Sequence, residues 1–199
     1  MLRVLNGLLV AIVLVQASSP SQGDWQWLDE HRGAALEAFM PIVEGDRVLV
    51  TYRSYRDSYH DVEERYFRIS FAAGPSFNRD RLDATVVIPA GKSIQQQILD
   101  LHMRNRAATF VSLVSRVTVR RTLLDAERCP ALRVRLDALS KTVISLPERD
   151  TISIHPFIHR IIIDMSEAKI DATLHNDENP VVIWARDTFN ALSACASGR

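Results

Sequence analysis

Residues 47–71 read RVLVTYRSYRDSYHDVEERYFRISF, and the two alternating halves of this stretch decide the fold. Over 47–55, Val48, Val50 and Tyr52 point one way while Arg47, Thr51 and Arg53 point the other, with Leu49 out of step. Over 65–71, Phe67, Ile69 and Phe71 point inward and Tyr66, Arg68 and Ser70 outward. Alternation with a period of two marks a half-buried strand. Two such strands, so close in sequence, pair as an antiparallel hairpin with a long polar connection.

Downstream, Gly74-Pro75-Ser76 marks a turn, and residues 84–88 form a third short strand closed by Pro89 and Gly91. The period then changes. Ile94, Ile98 and Leu101 recur at helical spacing over 93–105, with Ser93 as cap. Residues 111–123 are ambiguous, but Val117 and Val119 alternate with Arg116, Thr118 and Arg120, which favours a strand. Pro130 suits the first turn of a helix that lines up Leu132, Leu136 and Leu139. Residues 152–165 are rich in β-branched side chains, though Pro156 implies an edge or a bulge. Residues 170–174 pair with them across a turn near Glu167. Asn179 and Pro180 then open the clearest helix, with Val181, Trp184, Ala185, Thr188, Phe189 and Leu192 along one face and Cys195 at its end.

Upstream, residues 24–39 read as a helix capped by Asp24, weakened at Gly33 and ended by Pro41. Trp25, Leu28, Ala35, Leu36 and Phe39 fall near one of its faces. Before it, Arg3, the apolar run 8–15 and the small residues at Val15 and Ala17 form a cleavable secretory signal. The run is shorter than the roughly 20 residues a spanning helix needs. The expected organisation is a signal over 1–17, a flexible spacer over 18–23 and one globular α+β domain over 24–199. That domain is an antiparallel sheet of about five strands with helices packed on one face.

The chain carries 24 basic and 24 acidic residues, three of the basic ones being Lys. Genomic base composition accounts for the arginine excess, and with the signal it suggests a bacterial source. Near-neutrality provides no field to gather nucleic acid or anionic membrane. The chain has two cysteines, Cys129 and Cys195. In an exported protein they are expected to pair. Closing a loop of that length contributes about 4 kcal/mol in the chain-entropy account.

All four tyrosines lie between Tyr52 and Tyr66, interleaved with arginines and carboxylates. Tyr and Arg dominate binding hot spots, and connections between strands often carry recognition residues. Tyr52, Arg53, Tyr55, Arg56, Tyr59 and His60 are therefore the candidate interface. His155 and His159, in HPFIH, would share a face of a strand about 13 Å apart, too far for one metal ion, with Asp164 on the opposite face. A zinc site needs three or four converging ligands, so no metal is expected. There is no G-x-S-x-G elbow and no glycine-rich phosphate loop, so no cofactor is expected either. Arg116, Arg120 and Arg121 form a small basic patch, read as a solvated strand face paired with Asp125 and Glu127.

These features favour a periplasmic or secreted, non-catalytic protein that binds a partner protein, inhibitor- or immunity-like, without nucleic acid or stable membrane insertion. The alternatives are an envelope hydrolase acting through His60, His155 or His159, and a carrier of a small apolar ligand.

Overall fold

The computed structural model describes residues 19–56, 64–72, 81–142, 157–165 and 168–198. The signal 1–17, the turn 74–76 and the strand start 152–156 lie outside the described residues. The element order is α1 (Gln22–Phe39), β1 (Arg47–Arg56), β2 (Arg65–Phe71), β3 (Leu82–Pro89), α2 (Ile94–Arg104), α3 (Phe110–Val114), β4 (Val119–Asp125), α4 (Ala131–Leu139), β5 (Phe157–Met165), β6 (Ala168–Leu174) and α5 (Pro180–Ala196). The sheet has six strands in the order β4-β3-β2-β1-β5-β6. Each pair is antiparallel; β1–β2, β2–β3 and β5–β6 follow directly in sequence, whereas β3 reaches β4 through α2 and α3, and β1 pairs with the distant β5.

Leu49 is out of step because it sits at a β-bulge. Val48 pairs with Ser70 and Val50 with Ile69, so β1 has one residue more than β2 at that point. The bulge corrects the reading of Val48, which lies opposite Ser70 and not on the face of Val50 and Tyr52.

One face of the sheet is apolar. Tyr52, Phe67, Val86 and Ile161 pack there with Trp184, Phe189 and Leu192 of α5 and with Leu132 and Leu139 of α4. The Phe67 ring meets Trp184 edge-on with centroids 6.2 Å apart, a favoured aromatic geometry. The α5 stripe is buried as its spacing predicts. Asn179 caps α5 by accepting from Val181 N–H at 3.1 Å. Trp184 donates Nε1–H to the Arg135 carbonyl at 2.7 Å, joining α5 to α4. Cys129 and Cys195 are bonded, with Cα atoms 5.6 Å apart, tying the start of α4 to the end of α5.

The other face is covered as well, which corrects the expectation of helices on one face. Tyr66 and Val87 are the strand neighbours of Phe67 and Val86, so they point the opposite way. They pack with Leu28 and Ala35 of α1, Ile94, Ile98 and Leu99 of α2, and Val114 of α3. Gln22 and Gly23, expected in the spacer, begin α1. Ser21 and Asp24 form a reciprocal cap there: Asp24 accepts from Ser21 N–H at 2.8 Å, and Asp24 N–H reaches Ser21 Oγ at 3.3 Å. The N-terminus of α2 is held by Glu64, whose buried carboxylate accepts from Ile94 N–H at 2.6 Å. A negative charge is favourable at that helix end.

Arg53 and Arg68 lie under α1 and are almost fully buried. Glu37 of α1 pairs with both, at 2.8 Å to Arg68 Nη2, and Arg68 also donates to the Met40 carbonyl. Removing Glu37 would strand two buried guanidinium groups. Glu37→Ala should cost about 2–4 kcal/mol in denaturant unfolding, below the range for a fully buried pair because Glu37 is half exposed. A cost within experimental error would show that apolar contacts alone hold α1. For the disulfide, intact mass after alkylation of unfolded, unreduced protein should show no adduct. Across the 66-residue separation, the Cys129→Ser/Cys195→Ser variant should lose about 2–5 kcal/mol.

Candidate functional site

The end of β1 is where the expected interface residues fall, and the strand divides them. Tyr52 faces α5 and is fully buried. Arg53, the next residue, faces α1 and is 5 % exposed. Neither reaches solvent, which corrects their assignment to the interface: consecutive strand residues point to opposite faces, and here both faces are covered. Tyr55 is half-buried and pairs with Ile158, while Arg56 ends β1 opposite Phe157. Tyr59, His60 and His155 lie outside the described residues.

Tyr52 instead belongs to a polar chain through the apolar layer. His159 of β5 is 0 % exposed. Its Nδ1 lies 3.0 Å from Tyr52 Oη and its Nε2 lies 2.9 Å from Asp177 Oδ1. A carboxylate only accepts, so Nε2–H donates to Asp177 and Nδ1 accepts from the Tyr52 hydroxyl. That assignment leaves the imidazole neutral with both nitrogens satisfied. Burial lowers the pKa of His159, opposed by the Asp177 charge. Burial also raises the pKa of Tyr52. Asp177, on the turn between β6 and α5, is half exposed.

The chain therefore links β1, β5 and the start of α5. Its outer end is a solvated carboxylate and its inner end a phenol in the core. A general base must lie within hydrogen-bond reach of a substrate proton. His159 is fully buried and its two nitrogens meet Tyr52 and Asp177, so the chain ties β1 and β5 to the turn before α5. Sequence reading singled out His159 for its spacing to His155, but neither Tyr52 nor Asp177 could be named as its partner. Asp177 precedes a recognisable helix cap, and that was the one local signal available.

Two further charged clusters lie on the other face of the sheet. On β5, Arg160 makes a two-pronged contact with Asp171 of β6 at 3.2 and 3.0 Å. Arg160 and Arg53 are directly opposite each other across β1 and β5. Burial first, then the charges of Arg160 and Arg68, lower the pKa of Arg53. On α2, His102 stacks on Trp27 with centroids 3.8 Å apart and lies 3.5 Å from the buried Asp24. Arg106 clamps that same carboxylate at 2.9 and 2.8 Å. Among the described residues no group of three or more His, Cys, Asp or Glu could hold a metal ion, and no helix is long and apolar enough to cross a membrane.

The arginines of the basic patch are arranged differently from their sequence reading. Arg116, Arg120 and Arg121 are exposed and make no ion pair among the described residues. Asp125, expected to pair with them, accepts from Glu127 and Arg128 N–H at 3.0 and 2.7 Å and lies 3.6 Å from Arg128 Nε.

The pH response follows from His159. Its folded pKa is lowered, so the unfolded chain takes up the proton first as pH falls. Stability is complete above the unfolded value near 6.5 and declines as pH drops through it. His102, also lowered by burial, acts in the same sense, and Glu64, raised by burial, in the opposite one. Comparison with His159→Gln isolates the histidine. Between about pH 7.5 and about pH 5.5 the wild-type Tm should fall more steeply than that of the variant. Parallel curves would show that His159 titrates alike in both states.

No protein-family model matches this chain, and neither the curated proteins nor the solved structures contain a match to it.

Proposed function

We propose that the chain is an exported, non-catalytic protein that binds a partner protein in the periplasm or outside the cell, inhibitor- or immunity-like. The observation that carries this reading is the enclosure of His159. The hydrolase alternative needs His60, His155 or His159 to meet a substrate, and His159 is fully buried between Tyr52 and Asp177. The bonded Cys129 and Cys195 support export, since disulfides persist in oxidising compartments.

Within this reading, recognition rests on Tyr55, Arg56, Tyr59 and His60. Tyr55 and Arg56 end a strand and pair with Ile158 and Phe157 of β5. Side chains launched from such a strand start from a fixed position, which lowers the entropy lost on binding.

The test has two parts. The mature protein recovered from the exported fraction should begin at Ser18 by mass spectrometry. A partner captured with it, then purified, should bind the Tyr55→Ala/Arg56→Ala/Tyr59→Ala variant at least about tenfold more weakly, as expected where hot-spot residues are truncated. The Tm should stay nearly unchanged. Unchanged affinity, or a large fall in Tm, would remove the basis of this interface.

A further inference from the structure

We infer that the outer edge of β4 is a docking strand for an extended, acidic segment of another protein, which adds to the sheet as a seventh strand. This inference rests on the partner-binding reading above and names a second surface for it, remote in sequence from the segment 55–60.

The backbone of β4 is offered outward in a regular way. β4 ends the sheet order, with β3 as its one neighbour among the described residues. Ala126 N–H donates to the Leu82 carbonyl at 3.0 Å, and Ala90 N–H donates to the Thr118 carbonyl at 3.1 Å. In an antiparallel ladder the bonding direction alternates residue by residue. Thr118, Arg120, Thr122, Leu124 and Ala126 therefore turn their main-chain groups toward β3. Val119, Arg121 and Leu123 turn theirs to the open side, a row of donors and acceptors two residues apart. The row stops at Asp125, whose carbonyl is taken by Cys129 N–H at 2.9 Å.

The side chains say what would fit. Leu123 is 57 % exposed. Arg120 and Arg121 are exposed on opposite faces of the edge, Arg116 precedes it, and none of the three has an acidic partner among the described residues. Charged residues on an edge strand also guard against aggregation, but that need does not require bare charge. The opposite edge shows the alternative: Lys169 of β6 lies 3.8 Å from Asp164, and Asp171 pairs with Arg160. Among the described residues, one edge is neutralised from within and the other is left cationic. A second copy of this chain would set arginines of two β4 strands against each other, which is unfavourable. An extended segment with two adjacent carboxylates, one opposite each of Arg120 and Arg121, and an apolar residue opposite Leu123 satisfies both the main chain and the charge, as in β-strand addition.

The test uses a fluorescein-labelled nonapeptide of Thr and Val with two adjacent Glu at its centre, a matched peptide with Lys in place of Glu, and the full mature protein. The acidic probe should bind by anisotropy and the Lys probe should not. Binding should slow amide exchange at Val119, Arg121 and Leu123. Arg120→Glu/Arg121→Glu should weaken the probe at least tenfold. Leu123→Pro should do the same with little loss of stability, because its N–H faces outward and donates nothing to β3. Circular dichroism and Tm confirm that each variant is folded. Equal binding of both probes, no binding of the acidic probe, or full binding to a folded Leu123→Pro variant would overturn the inference. Concentration-dependent dimerisation that protects the same three amides would assign the edge to a second copy and overturn it too. If the captured partner binds both variants as tightly as wild type, this surface fails while the partner-binding reading stands. If no partner binds the wild type at all, that reading fails with it.

Discussion

From Leu49 to Ser54 β1 has no solvent face, and the rest of the molecule is arranged to satisfy it. It bonds to β2 on one side and β5 on the other. Its Val50 and Tyr52 are sealed by the apolar layer beneath α5, and its Thr51 and Arg53 are buried on the side of α1. The two seals differ in kind. The first is ordinary burial of aromatic and aliphatic surface, stabilising by roughly 25 cal/mol per Å². The second is ionic: removing a guanidinium from water costs several kcal/mol unless a counter-charge follows it. Glu37 supplies that counter-charge to two arginines at once. α1 is thus held over the sheet by a charge as well as by its apolar stripe.

This second seal also explains what the sequence concealed. A strand buried on both faces usually reads as a continuous apolar run. β1 and β2 alternate instead, because Arg53, Arg68 and Ser70 are polar yet buried. Alternation therefore reported the strands, their pairing and, apart from Val48 at the bulge, the apolar face, while its polar half was taken for solvent. The long-range partners that make the difference, Glu37 for Arg53 and Glu64 for the N-terminus of α2, lie 16 and 30 residues away in sequence, and no local pattern announces them. α5 was legible in full, since its cap, its proline and its stripe are local signals. α3 was missed because five residues are too few to show a helical period. The disulfide was legible because with two cysteines there is one way to pair them.

Two residues of the candidate interface, Tyr52 and Arg53, are buried for the same reason. Composition grouped Tyr52 with Arg53, but strand parity separates them, and each is consumed by a different layer. What composition could convey was the residue type suited to recognition. It could not convey which of those residues the fold keeps for itself. His159 is the clearest instance: a histidine in a run of isoleucines has room for two hydrogen bonds, and the fold fills both.

The disulfide and the open edge of β4 bear on each other. Leu124 is the one fully buried residue of β4, so burial alone holds this strand weakly against β3. Two residues beyond it, Ala126 joins the core and Cys129 is anchored to Asp125 by a main-chain bond and to α5 by the disulfide. The end of β4 is in this way tied to α5, whose apolar stripe is buried in the core. An edge strand that must accept an incoming strand needs its outer side bare and its own position fixed. Apolar burial would meet the second need at the expense of the first, since the side chains that cover an edge also close it. For the strand addition proposed at β4, a covalent tie placed just past the strand meets both, since it adds no side chain over the edge.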